Sequence, residues 1–286
     1  MRSDAAHFDL LAPGSLQAVL SLLSQSPGEF TPIAGGTETM VAFGAGRLQA
    51  RKFVSLWGLK ELRFISSTPQ TLTIGAGSTF TDIRNHKIIA SEFPLLTQAA
   101  SWTGSIANQN RGTLGGNIVN GSPAADSPPA LLAYGAEIEL ISARESRNMR
   151  YEGFHLAYKK TQLALDELVY AVHLPRRFDG YLQHARKVGT RNAQAISKVA
   201  IAALALMNEG IAEDIRIGAA SLRETPIRCT EVEQVLQGER IEPRTIRAAR
   251  LALANEILPI DDIRSTARYR AAVAGNLLEE FLAKLV

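Results

Sequence analysis

Apolar and polar positions recur with a changing period along the chain, and the changes mark out its units. In "SLQAVLSLL" (15–23), Leu16, Val19, Leu20 and Leu23 share the spacing of one helical face, after a Pro-Gly entry. Strand-like "FTPIA" (30–34) follows, then two adjacent glycines, helix-compatible "TETMVAF" (37–43) and a strand at "KFVSL" (52–56). Residues 1–58 thus read as a small α/β unit. Strand patterns at "RFISS" (63–67) and "TLTIGAG" (71–77), joined through Thr68-Pro69-Gln70, open a second unit. Helices are predicted at "TFTDIRNH" (79–86) and "FPLLTQAASWTG" (93–104). The stretch "NRGTLGGNIVNGSPAADSPPALLAYGAEIELIS" (110–142) is dense in Gly, Asn, Ser and Pro in its first half. Its second half predicts a helix led by Pro128 and a strand through Glu137–Ile141, with Glu137 and Glu139 on the outer face.

A strand at "DELVYAVHLP" (166–175) closes this unit, and "PRRFDG" (175–180) is the expected domain boundary. Beyond it, "YLQHARKVG", "SKVAIAALALM" and "EDIRIGAASL" predict three strands of an antiparallel sheet, and helices follow to the end at "YRAAVAGNLLEEFLAKLV". Strands first and helices after is the order of an α+β module. The expected division is 1–177, with subdomains about 1–58 and 59–177, and 178–286.

Composition narrows the function. The chain has 286 residues, 46% hydrophobic and 21% charged, with a net charge of +3 and scattered basic residues. That is an ordinary globular composition without the basic run a nucleic-acid partner requires. Cys229 is the single cysteine, so no internal disulfide and no iron–sulfur cluster held by this chain alone is expected. The polar start "MRSDAAHFDL" and the lack of long apolar runs predict a cytoplasmic protein without a membrane span.

The chemistry rests on glycines. Backbone N–H groups in a glycine turn before a helix converge on an anion site, usually for phosphate, and "IAGGT" (33–37) has that placement. A tight strand-to-helix connection is the plainer reading of this motif alone. It fits neither the G-x-G-x-x-G dinucleotide fingerprint nor the P-loop. A second glycine turn, "GTLGGN" (112–117), lets two turns grip one elongated anion, with Thr113 and Asn117 adding a hydroxyl and an amide. Asp126 reads equally as a helix N-cap and as an acceptor for a ribose hydroxyl. The five histidines show no metal-ligand spacing, His173 reads as structural, and Ser122 is in no nucleophile elbow. No catalytic side chain and no metal site is expected; a bound cofactor performs the chemistry.

"PIAGGTE", "NRGTLGGNIVNGSPAADSPPALLAYGA" and "YEGFHLAYKKTQLALDELVYAVHLP" together resemble the FAD-binding medium subunit of molybdenum hydroxylases, the group of xanthine dehydrogenase and carbon monoxide dehydrogenase. The similarity runs from about Phe8 into the C-terminal helices. It implies an α+β fold: a two-subdomain FAD-binding domain of the vanillyl-alcohol-oxidase/MurB (PCMH) type, then a CO dehydrogenase flavoprotein-type domain with a three-stranded antiparallel sheet and a helical bundle. By the same resemblance, Pro32, Ile33, Ala34, Gly35, Gly36, Thr37, Glu38 and Thr39 cradle the FAD diphosphate and neighbouring flavin atoms. Thr113, Leu114, Gly115, Gly116 and Asn117 form the second loop, with Asp126 near the ribose end. Thr103 and Gly104 line the cleft, Val169 packs on the cofactor, and Lys187 reaches toward the isoalloxazine, where a cation raises the flavin potential.

The implied activity is that of an electron-transfer oxidoreductase subunit. A molybdopterin-binding large subunit oxidises the substrate, a two-iron–two-sulfur small subunit passes on the electrons, and FAD delivers them to NAD+ or another acceptor. Neither nucleic acid nor membrane is among the implied partners. Departures from the family pattern are Ile106 for a Pro, Gln109 for an Arg, and Gln194-Ala195 where an Asp-Ile pair is usual. The lost acid bears on the choice of acceptor rather than on FAD binding. A stand-alone flavoenzyme of the MurB or oxidase kind is the alternative, and a non-catalytic nucleotide-binding protein a third. The first requires its own acid or base beside the flavin; the second requires adenine nucleotides to bind as well as FAD.

Overall fold

The computed structural model describes residues 4–286. Residues 1–3, which begin both the polar N-terminal stretch and the expected first subdomain, lie outside the described residues. Strands β1 (Asp9–Leu11), β2 (Thr31–Ile33) and β3 (Lys52–Ser55) form a parallel sheet in the order β1-β3-β2. Parallel strands need crossover connections, and helix Leu16–Gln25 supplies the first, carrying the chain from β1 past the position of β3 to β2. Ser15 caps it by accepting a hydrogen bond from the Ala18 N–H. Val19, Leu20 and Leu23, on the face the periodicity marked, are buried against Val54, Leu59, Leu62, Ile141 and Leu168. At about 1.5–3 kcal/mol for each buried aliphatic side chain, this cluster ties the first sheet to the second.

The second sheet combines β4 (Ile65–Ser67), β5 (Thr71–Gly75), β6 (Glu137–Ile141), β7 (Ser146–Arg150) and β10 (Leu168–Pro175) in the antiparallel order β4-β5-β10-β6-β7. Strand β6 alternates as predicted, with Ile138 and Leu140 buried, Glu137 exposed and Glu139 half-buried. His173 on β10 bonds Thr73 and faces Glu139, a structural setting. Strand β7 and the hairpin of β8 (His155–Ala157) and β9 (Lys160–Thr161) carry no apolar alternation and escape a pattern reading. One face of the sheet is covered by helices Phe80–Asn85, Pro94–Trp102, Leu114–Val119 and Pro128–Ala133, around a core holding Phe80, Phe93, Tyr134 and Phe154.

The third sheet contains β11 (Leu182–Val188), β12 (Val199–Asn208), β13 (Ile211–Ala220) and a two-residue β14 (Ile227–Arg228), all antiparallel. The three expected strands are present, and Ile227–Arg228 adds a short fourth, too brief to show a period. Strand β12 is apolar from Val199 to Met207, and buried on both faces as far as Ala205. Ala202 and Leu204 join the core of the second sheet, whereas Ile201, Ala203 and Ala205 pack with helices Thr230–Leu236, Pro243–Glu256 and Ala267–Leu282. Gly218 is small for a packing reason, since a methyl there would overlap the Pro129 carbonyl. No helix among the described residues is long and apolar enough to cross a membrane.

Candidate functional site

The first glycine loop leaves β2 at Ile33 and enters helix Thr39–Gly44. None of the N–H groups from Ala34 to Thr39 donates a hydrogen bond among the described residues. Six consecutive unpaired donors, among the described residues, leave this turn open to water or to the acceptor atoms of a ligand, an anion being favoured. Gly36 holds φ at +74°, a left-handed conformation natural to glycine, and its side-chain direction meets only the Ile33 and Met40 side chains, at 3.6 Å or more. Gly35 differs: a methyl there would overlap the Arg111 carbonyl oxygen. It is the point where the first sheet's unit touches the second loop. Arg111 stacks on Trp57 at 3.7 Å and reaches the Gly35 carbonyl at 3.4 Å. Glu38 accepts a hydrogen bond from Lys159 Nζ at 3.1 Å, from the tip of the β8–β9 hairpin.

The second motif is not a turn. Leu114–Val119 is a helix, with Thr113 as N-cap accepting from the Gly116 N–H at 3.1 Å, and both glycines lie inside its first turn. Its leading donors are already engaged. Leu114 donates to Ser78 O, Gly115 to Ala76 O and Asn117 to Thr113 O. Among the described residues, Thr113 alone of 113–117 has an N–H without an acceptor, so the expected second row of main-chain donors is not there. Gly115 is a packing glycine, with Ala76 Cβ lying 2.6 Å from where its own Cβ would be. Gly116 is exposed and meets nothing but its own capping hydroxyl.

Past this helix, Ser127 donates to Asn117 Oδ1 at 2.6 Å. Asp126 does not cap the following helix Pro128–Ala133, whose N-cap residue is Ser127 without a capping side-chain bond. Instead Asp126 meets Lys187 of β11. Lys187 Nζ lies 2.8 Å from Oδ1, donates to Oδ2 at 2.9 Å, and donates to the Trp102 carbonyl at 3.2 Å. Both side chains are about nine-tenths buried. Burial raises the Asp126 carboxyl to about 6, against the opposing pull of the Lys187 ammonium. Two residues expected at different parts of a dinucleotide are thus in direct contact.

Thr103 and Gly104 follow Trp102 and therefore stand beside the Lys187 ammonium. The Thr103 hydroxyl donates to Ala99 O, and Gly104 turns at φ +61° against Asn108. Val169 is already buried in the core with Leu114 and Ile118. Gln109 is a structural residue: it donates to Ser101 O at 2.9 Å and accepts from Arg84 at 2.7 Å. Gln194, at φ +52°, lies with Ala195 in a surface loop held by Arg191. Sequence reasoning missed Arg111, Trp57, Ser127 and Lys159. Arg111, adjacent to the glycine motif, was the one within reach of a pattern argument.

A row of free donors and a buried acid–base pair, carried on two α/β units with an α+β unit behind, suit a diphosphate-bearing cofactor. The model of the FAD binding domain in molybdopterin dehydrogenase matches residues 6–177, and that of the CO dehydrogenase flavoprotein C-terminal domain matches residues 184–285. The chain belongs to this family, the FAD-binding medium subunits of the xanthine dehydrogenase and CO dehydrogenase group, and is an oxidoreductase subunit with FAD as its cofactor. It is 29% identical over 274 residues to the xanthine dehydrogenase FAD-binding subunit of Escherichia coli O157:H7, spanning 95% of this chain and 94% of that one. It is 30% identical over 271 residues to the glyceraldehyde dehydrogenase medium chain of Sulfolobus acidocaldarius, spanning 94% and 95%. A solved carbon monoxide dehydrogenase from Hydrogenophaga pseudoflava, lacking the Mo-pyranopterin moiety of its cofactor, superposes with a TM-score of 0.92 at 26% identity, over 96% and 95% of the two chains.

Proposed function

We propose that this chain is the electron-exit subunit of a molybdenum hydroxylase complex. It takes electrons from a two-iron–two-sulfur small subunit, fed by a molybdopterin-binding large subunit, and passes them through FAD to NAD+ or another acceptor. The observation that carries the reading is the row of unpaired N–H groups from Ala34 to Thr39. Pre-aimed donors offset diphosphate charge without reorganisation. Pro32 and Ile33 hold the start of the cradle on β2, and Thr37 and Thr39 add hydroxyls to it. Gly36 and Gly116 keep its walls low, and Thr113 contributes its N–H.

FAD, when bound, supplies the interchange between single electrons and a hydride. The chain's residues position it. Asp126 and Lys187 address the same end of the cofactor, with Thr103 and Gly104 beside them and Val169 in the packing beneath. Cys229 is wholly buried and far too few for a cluster, which supports placing the iron–sulfur centres on a partner. The division at 177 and 178 has the support of two separate helix-covered sheets meeting at the Pro129–Gly218 contact.

The test is spectroscopic. The purified chain should show a flavin absorbance band, or gain one on incubation with FAD, and NADH should bleach it if a nicotinamide is the acceptor. A chain that neither carries nor acquires flavin overturns the reading. A flavin that dithionite bleaches and NADH does not would assign a different acceptor.

A further inference from the structure

A second charged site lies where the third sheet meets the C-terminal end of helix Pro128–Ala133. A cavity of about 190 Å³ is lined there by Arg150, Arg177, Arg216 and Arg228, with Glu137 and Glu152, over Leu131 and Leu132. The four arginines come from β7, the 175–180 segment, β13 and β14. Four guanidinium groups and two carboxylates face the cavity, and Glu233 and Asp214 stand behind Arg228 and Arg216.

The cations are poorly answered by the protein. Arg228 is paired with Glu233 at 2.8 Å. Arg216 lies 3.4 Å from Asp214 Oδ2, an oxygen that already accepts the Tyr181 hydroxyl at 2.8 Å. The Arg216 Nε is buried without a hydrogen bond among the described residues, and its Nη1 reaches only the Ala133 carbonyl, at 3.5 Å. No acidic group pairs with Arg150 or Arg177 among the described residues, and Arg177 and Arg216 both lie over the Phe178 ring, at 5.3 and 5.7 Å. Burial, then Arg228 and Arg177, push the Arg216 guanidinium below its ordinary value. Gly135, at φ +62°, leaves the space that Arg216 Nη1 occupies. Fixed, planar donor forks crowded together around a cavity are the arrangement that binds tetrahedral oxyanions bidentately.

We propose that this cavity binds a phosphate dianion, free or as the phosphomonoester of a larger molecule, at a site separate from the FAD cradle. Arg150 and Arg177, without an acid partner among the described residues, supply the two charges that meet the dianion, and Glu137 and Glu152 set a limit against more highly charged polyanions. Arg150 and Arg177, exposed on the rim, capture it, and the half-buried Arg216 holds it, with Arg228 fixed beside it by Glu233.

The test is calorimetric titration of the FAD-loaded full chain, whose diphosphate cradle is filled, with inorganic phosphate or with glycerol 3-phosphate against chloride at matched ionic strength. Saturable binding is expected. It should weaken at least tenfold in the double variant R150Q/R177Q, whose flavin content and melting temperature stay those of the parent. Tighter binding of the monoester assigns a phosphorylated molecule as the ligand; tighter binding of inorganic phosphate assigns the ion. Absence of saturable binding of both, or equal binding by the double variant, overturns the proposal. Flavin content is read from absorbance, so failure of FAD loading would count against the function proposed above and not against the arginine cavity.

Discussion

Gly35-Gly36 and Gly115-Gly116 look alike as sequence and do different work. In each pair the first glycine is required by packing, Gly35 against the Arg111 carbonyl and Gly115 against Ala76, and the second meets side-chain atoms only, Gly36 those of Ile33 and Met40 and Gly116 the Thr113 hydroxyl. The backbones diverge. Ala34–Thr39 keeps its donors free, whereas Leu114–Asn117 has committed them to Ser78, Ala76 and Thr113. One loop is a donor row and the other a closely packed wall. A glycine pair therefore reports where backbone or ligand comes close, and only the fate of the neighbouring N–H groups tells which.

Gly35→Ala should be the most damaging change at either motif. Overlap with a main-chain carbonyl cannot be relieved by a rotamer change, so a loss of about 3 kcal/mol or more is expected in urea unfolding. Flavin would be lost together with the fold. Gly36→Ala should cost about 1–2 kcal/mol from its left-handed backbone and weaken FAD beyond that loss. Equal effects of the two variants on stability would erase the distinction between packing and open glycines.

Asp126, at the end of the second loop's line through Asn117 and Ser127, gives a pH-dependent contrast. Its carboxyl titrates near 6 folded, against 3.8 unfolded. Between those values the folded chain holds the extra proton, so stability falls as pH rises from about 4 to about 6. Above that window the cost of the buried ionised form is fully present. Two units correspond to about 3 kcal/mol, most of which should vanish from the pH profile in Asp126→Asn. An unchanged profile would show that Lys187 compensates the carboxylate completely.

Much of this was legible beforehand. Period-two alternation in β6 and the helical spacing of Val19, Leu20 and Leu23 placed elements because one face of each is buried. Helix Leu114–Val119 was hidden by its glycines, although Thr113 as cap and the Leu114–Ile118 spacing were visible signals. Strand β7 is polar on an outer edge and has no period to read. The Asp126–Lys187 contact joins residues 61 positions apart, and no local pattern encodes it. What a sequence carries poorly is which donors are left over after folding, since that is a property of the assembled backbone.

Gly115→Ala presses on Ala76 Cβ and should cost about 1–3 kcal/mol, with part of the loss recovered in the double variant carrying Ala76→Gly. Thr113→Ala removes the cap on the Gly116 N–H and should cost about 1 kcal/mol in thermal melting. Because that change frees a donor instead of removing one, FAD affinity should fall no further than the stability loss requires. A much larger drop in affinity would make the Thr113 hydroxyl itself a ligand.

Amide hydrogen exchange, followed by mass spectrometry with and without FAD, separates the two loops most directly. Without flavin, Ala34–Thr39 should exchange quickly and Leu114–Asn117 slowly. On adding FAD the first segment should become strongly protected, with little further change in the second. Protection gained at Leu114–Asn117 while Ala34–Thr39 stays fast would contradict the assignment of the diphosphate to the first loop.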